Sequence, residues 1–89
     1  MLWQEVIDAR KQAHAKHGDN SIESISAHSP RWLPILGEEF GEVAATLTYD
    51  KNISDLRSEL IDLISVATAW VDSIDGTGYG ERSQHFVEL

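Results

Sequence analysis

The chain has 89 residues, enough for one domain with a modest core. Its 15 Asp and Glu against 7 Lys and Arg give a formal net charge of -8, which disfavours nucleic-acid polymers and anionic membranes as partners. It has no cysteine, which excludes disulfides and thiolate metal sites, and no run of about 18 apolar residues that would span a membrane.

A first helix is predicted from about Leu2 to His17, because Leu2, Val6, Ala9 and Ala13 recur at helical spacing. The charged opening "MLWQEVIDARKQ" has no signal-peptide core, and the reading is a soluble, cytoplasmic protein. Gly18 in "HGDNS" ends the helix as a C-cap. Residues 22–29 read as a loop with room for one helical turn. In "HSPRW", Ser29 can cap and Pro30 suits a first helical position, so a second helix is predicted from there to about Tyr49. "DKN" turns the chain, and Asn52 or Ser54 caps a third helix that Gly76 stops after Asp75. The tail "GTGYGERSQHFVEL" is glycine-rich and then mixed; it lacks the lysine ending and preceding strand of a phosphate loop. No strand pattern competes, so the expected fold is all-α, with three principal helices in one domain.

The second and third helices repeat one design. Around Glu39, apolar residues stand at Leu36, Phe40, Val43 and Leu47; around Glu59 the same offsets hold Leu56, Leu60, Leu63 and Ala67. Each helix carries a second acid three residues on, Glu42 and Asp62. At about 100° per residue, each pair projects from neighbouring turns beside its apolar stripe. If the helices pack antiparallel through those stripes, four carboxylates converge at one rim. Such a cluster repels itself, and a hard divalent cation with oxygen ligands would relieve it. The plain alternative is a solvated acidic face on a helical bundle without enzymatic activity. A di-iron site fits less well, because it needs Glu-x-x-His pairs and the motif helices have none.

Glu38-Glu39-Phe40-Gly41-Glu42, then sixteen residues, then Glu59-Leu60-Ile61-Asp62 resembles the EExxE…ExxD signature of MazG-like nucleotide pyrophosphohydrolases. These belong to the all-α NTP pyrophosphatase superfamily. "WLPILGEEFGEVA" and "LRSELIDLISVATAW" resemble its motif helices, and the resemblance covers roughly residues 28–75. It implies Mg²⁺-dependent hydrolysis of nucleoside triphosphates, often deoxy or non-standard ones, to monophosphate and pyrophosphate, with Mn²⁺ as a substitute. It also implies that Glu39, Glu42, Glu59 and Asp62 hold the metal. A carboxylate not spent on the metal can act as base. Glu39 and Glu38 are the catalytic candidates, Glu38 standing further from the stripe as an assisting base or a solvated group.

For substrate contacts, the sequence offers Trp32 for stacking on a base, though packing is the commoner role of such a tryptophan. His28 and Arg31 precede the acidic helix and can meet base or phosphate. Lys16 and Asn20 lie in a stretch that can close over a ligand, whereas His14 and His17 read as surface residues. The family's basic helix after ExxD has no counterpart, and only Arg82 offers a cation there. Phosphate contacts then fall to Lys16, Arg31, Lys51 or Arg57, or to a partner subunit. The third helix is apolar nearly all round, from Leu60 to Ile74, which three helices cannot bury. A homodimer or homotetramer that completes the bundle is therefore expected.

Overall fold

The computed structural model describes residues 1–78; Arg82 and most of the tail lie outside the described residues. Among the described residues there are three α-helices: α1 (Leu2–His17), α2 (Trp32–Ala45) and α3 (Ile53–Asp75). No strand occurs among the described residues, and no helix among them is long and apolar enough to cross a membrane. α3 packs against both other helices. Trp32 meets Trp70 while Glu39 meets Glu59 and Asp62, so α2 runs antiparallel to α3. Glu5 pairs with Arg57 and Arg10 with Asp72, so α1 runs in the same direction as α3.

The caps of α1 and α3 follow from their end residues. The Asn52 side chain accepts hydrogen bonds from the Ser54 and Asp55 amides at 2.9 and 3.2 Å, satisfying two N–H groups that the helix leaves open. Gly76, with φ 76°, closes α3 in the left-handed region that side chains resist. Gly18, with φ 56°, ends α1, and its amide donates to the His14 carbonyl.

α2 departs from its expected start, and its last stretch, helical to about Tyr49 as expected, changes type. It starts at Trp32 rather than Pro30; Pro30 lies in the preceding turn, where the Ser29 hydroxyl accepts from the Arg31 amide at 3.2 Å. After Ala45 the chain widens into a π turn, Thr46–Asp50, with Thr46 buried. It leaves that turn through Lys51 at φ 54°, whose amide donates to the Thr46 carbonyl at 2.8 Å. Residues 22–29 hold the one helical turn expected of them, the 3₁₀ turn Ile22–Ser24, and a further 3₁₀ turn, Gly18–Asn20, directly follows α1.

The core gathers Ile25, Trp32, Val66 and Ala69, with Ile22, Ile35, Leu36 and Trp70 packed around them. Trp32 and Trp70 stack with ring centroids 5.6 Å apart and planes 3° from parallel. Val6 and Ile7 are buried on α1, while Leu2, counted above with its apolar face, is exposed. The contact between α1 and α3 also carries an ionic network. Arg10 donates through Nε and Nη2 to Glu23 at 2.9 and 2.7 Å, and through Nη1 to Asp72 at 2.6 Å. Arg10 and Asp72 are each 1% exposed. A guanidinium fork matches a carboxylate pair in this way, and only such pairing lets the charges leave water.

Half of the stripe assigned to the α2–α3 contact faces elsewhere. Leu36, Val43, Leu56 and Leu63 are half-buried, but Phe40, Leu47, Leu60 and Ala67 are exposed. On α2 and in the π turn that follows it, Leu33, Gly37, Phe40, Ala44 and Leu47 are all exposed and alternate spacings of four and three residues. On α3, Leu60, Ile64, Ala67, Val71 and Ile74 repeat that spacing, exposed except for half-buried Ile64. This is the periodicity of a helix-packing seam, and nine of these ten residues are exposed in the chain.

Candidate metal centre

The acids of α2 and α3 stand where helical spacing places them, one turn apart on two antiparallel helices. Carboxylate oxygens of Glu39, Glu59 and Asp62 lie within 4.8 Å of one another. Glu42 is exposed and outside that triad, although its charge acts on Glu39, Glu59 and Asp62. The expected set of four is thus a triad with a fourth acid beside it.

All three carboxyls sit above the usual carboxylate range. For Glu39 the largest cause is burial, followed by the charges of Asp62, Glu59, Glu38 and Glu42. Glu59 is raised by burial and then by Asp62, Glu42 and Asp55. Asp62 is raised by burial and by Glu42. Partial desolvation and mutual repulsion both disfavour the ionised forms. A cation held between these oxygens would reverse both effects, and an all-oxygen donor set suits a hard ion such as Mg²⁺, Mn²⁺ or Ca²⁺.

Beside the triad opens a cavity of about 460 Å³ between α1 and α2, with α3 beneath it. Ala9, Arg10, Ala13 and His17 line it from α1, and Asn20, Ser21 and Ile22 from the connection. Arg31, Ile35, Glu38 and Glu39 face it from the α2 side, and Asp62, Ser65 and Val66 from α3. Glu38, the uncertain acid of the motif, is therefore next to Glu39 on the cavity wall and raises its neighbour's proton affinity.

Of the expected substrate residues, the structure brings Arg31 and Asn20 to this cavity, joined by a hydrogen bond from Arg31 Nη2 to the Asn20 carbonyl at 3.4 Å. Lys16 and His28 are exposed and do not line it. Trp32 is 0% exposed, and its indole N–H donates to the Ser26 carbonyl at 2.8 Å. It belongs to the core and has no ring face open to a base. Phe40, expected to hold the site against α3, is 65% exposed. His17, read as a surface residue, lines the cavity, and His14 is half-buried, with Nδ1 2.6 Å from the Ser21 hydroxyl. For His17, its four-residue spacing from Ala9 and Ala13 along one helix face was the available signal.

No protein-family model, curated protein or solved structure matches this chain.

Proposed function

We propose that the chain is a divalent-metal-dependent nucleoside triphosphate pyrophosphohydrolase of the MazG-like kind, acting in the cytoplasm. The observation that carries this reading is the convergence of Glu39, Glu59 and Asp62 from two helices at the mouth of a ligand-sized cavity. The EExxE…ExxD spacing supports it from the sequence side. Glu39, Glu59 and Asp62 would hold Mg²⁺ or Mn²⁺, with Glu42 completing the set. When bound, the ion supplies charge neutralisation for a triphosphate and lowers the pKa of a coordinated water.

The chain's own residues divide the remaining tasks. The acids alone would repel a polyphosphate, so binding depends on neutralising them. Arg31, on the cavity rim, can pair with a phosphate oxygen through the guanidinium donors that its bond to Asn20 leaves over. Glu38 borders the same space and can accept a proton from an attacking water as general base. The connection between α1 and α2 walls one side of the cavity through Asn20, Ser21 and Ile22. The exposed seams of α2 and α3 support a homodimer or homotetramer as the working form.

The test is pyrophosphate release by purified protein with Mg²⁺ or Mn²⁺ across a broad panel of canonical and modified NTPs and dNTPs. Release from at least one substrate, lost with EDTA and with Glu39→Gln, is the expected result. No release from any of them overturns the reading. The exposed seams also favour a second reading, a non-enzymatic dimeric helical bundle with a solvated acidic face. That reading expects Glu39→Gln to leave divalent-ion binding unchanged.

A further inference from the structure

We propose that a second cavity, where the Ile22–Ser24 turn meets the C-terminal end of α3, binds a small aliphatic primary ammonium ion through Glu23, Ser73 and Thr77. This site lies apart from the acid triad and does not rest on the pyrophosphohydrolase reading.

The cavity has a volume of about 370 Å³, within the roughly 300–1,000 Å³ typical of small-molecule sites. Ala69, Ser73 and Thr77 line it at four-residue steps along α3 and just past its end. Ile22 and Glu23 line it from the turn opposite. Arg10 and Ile22 also line the cavity beside the acid triad, so they stand between the two.

The polar groups of this second cavity have directed their protons elsewhere. The Ser73 hydroxyl donates to the Ile25 carbonyl at 2.9 Å, and the Thr77 hydroxyl donates to Asp72 Oδ1 at 3.3 Å. Each hydroxyl therefore offers a ligand lone pairs but no proton. Glu23 accepts one bond at each oxygen, from Arg10 Nη2 and Nε, and a carboxylate has room for about four. Its side chain is 10% exposed, so the acceptor sites it keeps are shielded from bulk water. Three acceptors of this kind select a group that only donates. A primary ammonium has three N–H donors and no acceptor.

Charge points the same way. The last turn of α3 carries Asp72 and Asp75 and no basic residue. A helix C-terminus adds about half a unit of negative charge, which a cation nearby offsets. Arg10 divides its charge between Glu23 and Asp72, so a ligand carboxylate or phosphate would be repelled by Glu23. Ile22 and Ala69 supply an apolar wall for a short hydrocarbon chain, which favours an alkylammonium over a bare inorganic cation.

The experiment is an amide NMR titration of the full chain with n-butylammonium in about 150 mM NaCl, where diffuse attraction to the acidic surface is screened. The Glu23, Ser73 and Thr77 amides are expected to shift at millimolar ligand. Butanol, butyrate and tetramethylammonium are the comparisons: they lack the charge, reverse it, or keep it without an N–H donor. Each is expected to bind at least about tenfold more weakly, the loss of a hydrogen-bonded charge. Glu23→Gln is expected to weaken butylammonium binding about tenfold or more, and Thr77→Val about threefold. Thr77 is exposed, so its valine variant decides the matter should Glu23→Gln not fold. Glu39→Gln is expected to bind butylammonium as the wild type does. The proposal is overturned if butylammonium moves none of those signals, if tetramethylammonium binds equally well, or if both cavity variants bind as the wild type does. It is also overturned if Glu39→Gln abolishes binding, which would put the ammonium at the acid triad. A protein that binds butylammonium here and releases no pyrophosphate keeps this inference and overturns the pyrophosphohydrolase reading.

Discussion

Arg10 and Asp72, sixty-two positions apart in the chain, meet at 2.6 Å with each side chain 1% exposed, and this contact locks α1 to α3. Glu23 occupies the rest of the guanidinium fork. Removing one partner of a buried pair strands the other charge, which typically costs about 3–5 kcal/mol. Glu23 still compensates Arg10 when Asp72 is lost, so Asp72→Ala is expected at the lower end, about 3 kcal/mol. That is a large share of the roughly 5–15 kcal/mol that holds a small domain together. Urea unfolding followed by circular dichroism measures it; a loss below about 1 kcal/mol would show that the pair contributes little net stability.

Trp32 supplies a second expectation. Its ring is enclosed by the core and stacked on Trp70. Acrylamide should therefore quench its emission far less than that of Trp3, which is partly open to solvent. Trp32→Ala should destabilise by about 3–5 kcal/mol, the usual range for an emptied aromatic site. Strong quenching of Trp32 in the folded protein, read in a variant lacking Trp3 and Trp70, would contradict its place in the core.

The ends of α1 and α3 and the pairing of acids along α2 and α3 were legible in the sequence, because both depend on local spacing. Asn52, Gly18 and Gly76 act on the backbone within a few residues, and an ExxE or ExxD pair is fixed by helical geometry. The buried ionic network was not legible. Arg10 finds its partners 13 and 62 residues away, and on a helical wheel it is one more surface charge. The exposure of Phe40 escaped for a related reason. α2 carries two adjacent apolar rows, one half-buried through Leu36 and Val43 and one open through Phe40 and Leu47, and periodicity does not say which row the chain itself covers.

Gly76 isolates a backbone effect. Its φ of 76° lies in the left-handed region, and a Cβ added there meets nothing within 4 Å. Gly76→Ala therefore adds conformational strain without a clash, a penalty of about 1 kcal/mol. For a domain of this size that corresponds to about 4–8 °C in Tm. An unchanged Tm would mean that the end of α3 readjusts to accept the side chain.

For Glu39 the sign of the pH effect can be worked out. Its carboxyl is raised above the usual range in the fold, mainly by burial and then by Asp62 and Glu59. A raised acid contributes stability fully below its unfolded value and loses that contribution as pH rises through its folded value. Without metal, Glu39→Gln should therefore raise Tm at pH 7, with the difference vanishing near pH 4. With Mg²⁺ the order reverses. The wild type should gain on the order of 10 °C at a hundredfold excess over Kd, and the variant little. Metal affinity of the wild type should fall as acidification protonates the triad, beginning above the usual carboxylate range. Thermal melts in EDTA and Mg²⁺ at several pH values provide the check. Equal Mg²⁺ gains in both proteins would remove Glu39 from the site.

Phe40 tests the assembly. It sits mid-way along an exposed seam with Leu33 and Leu47 seven residues to either side, and these three are 65%, 69% and 60% exposed. On α3, Leu60, Val71 and Ile74 are exposed as well. In a two-fold dimer each substitution acts twice. Burying one phenylalanine contributes about 1.5–3 kcal/mol, so losing two removes about 3–6 kcal/mol of association energy. That amounts to a rise in dimer Kd of about 10²–10⁴-fold. Phe40→Glu should therefore sediment as a helical monomer at concentrations where the wild type is dimeric. Phe40 has little contact to lose within the chain, so the variant should unfold only slightly earlier once the wild type has been diluted to monomer. A wild type that stays monomeric up to millimolar concentration would leave these seams without a partner of their own kind.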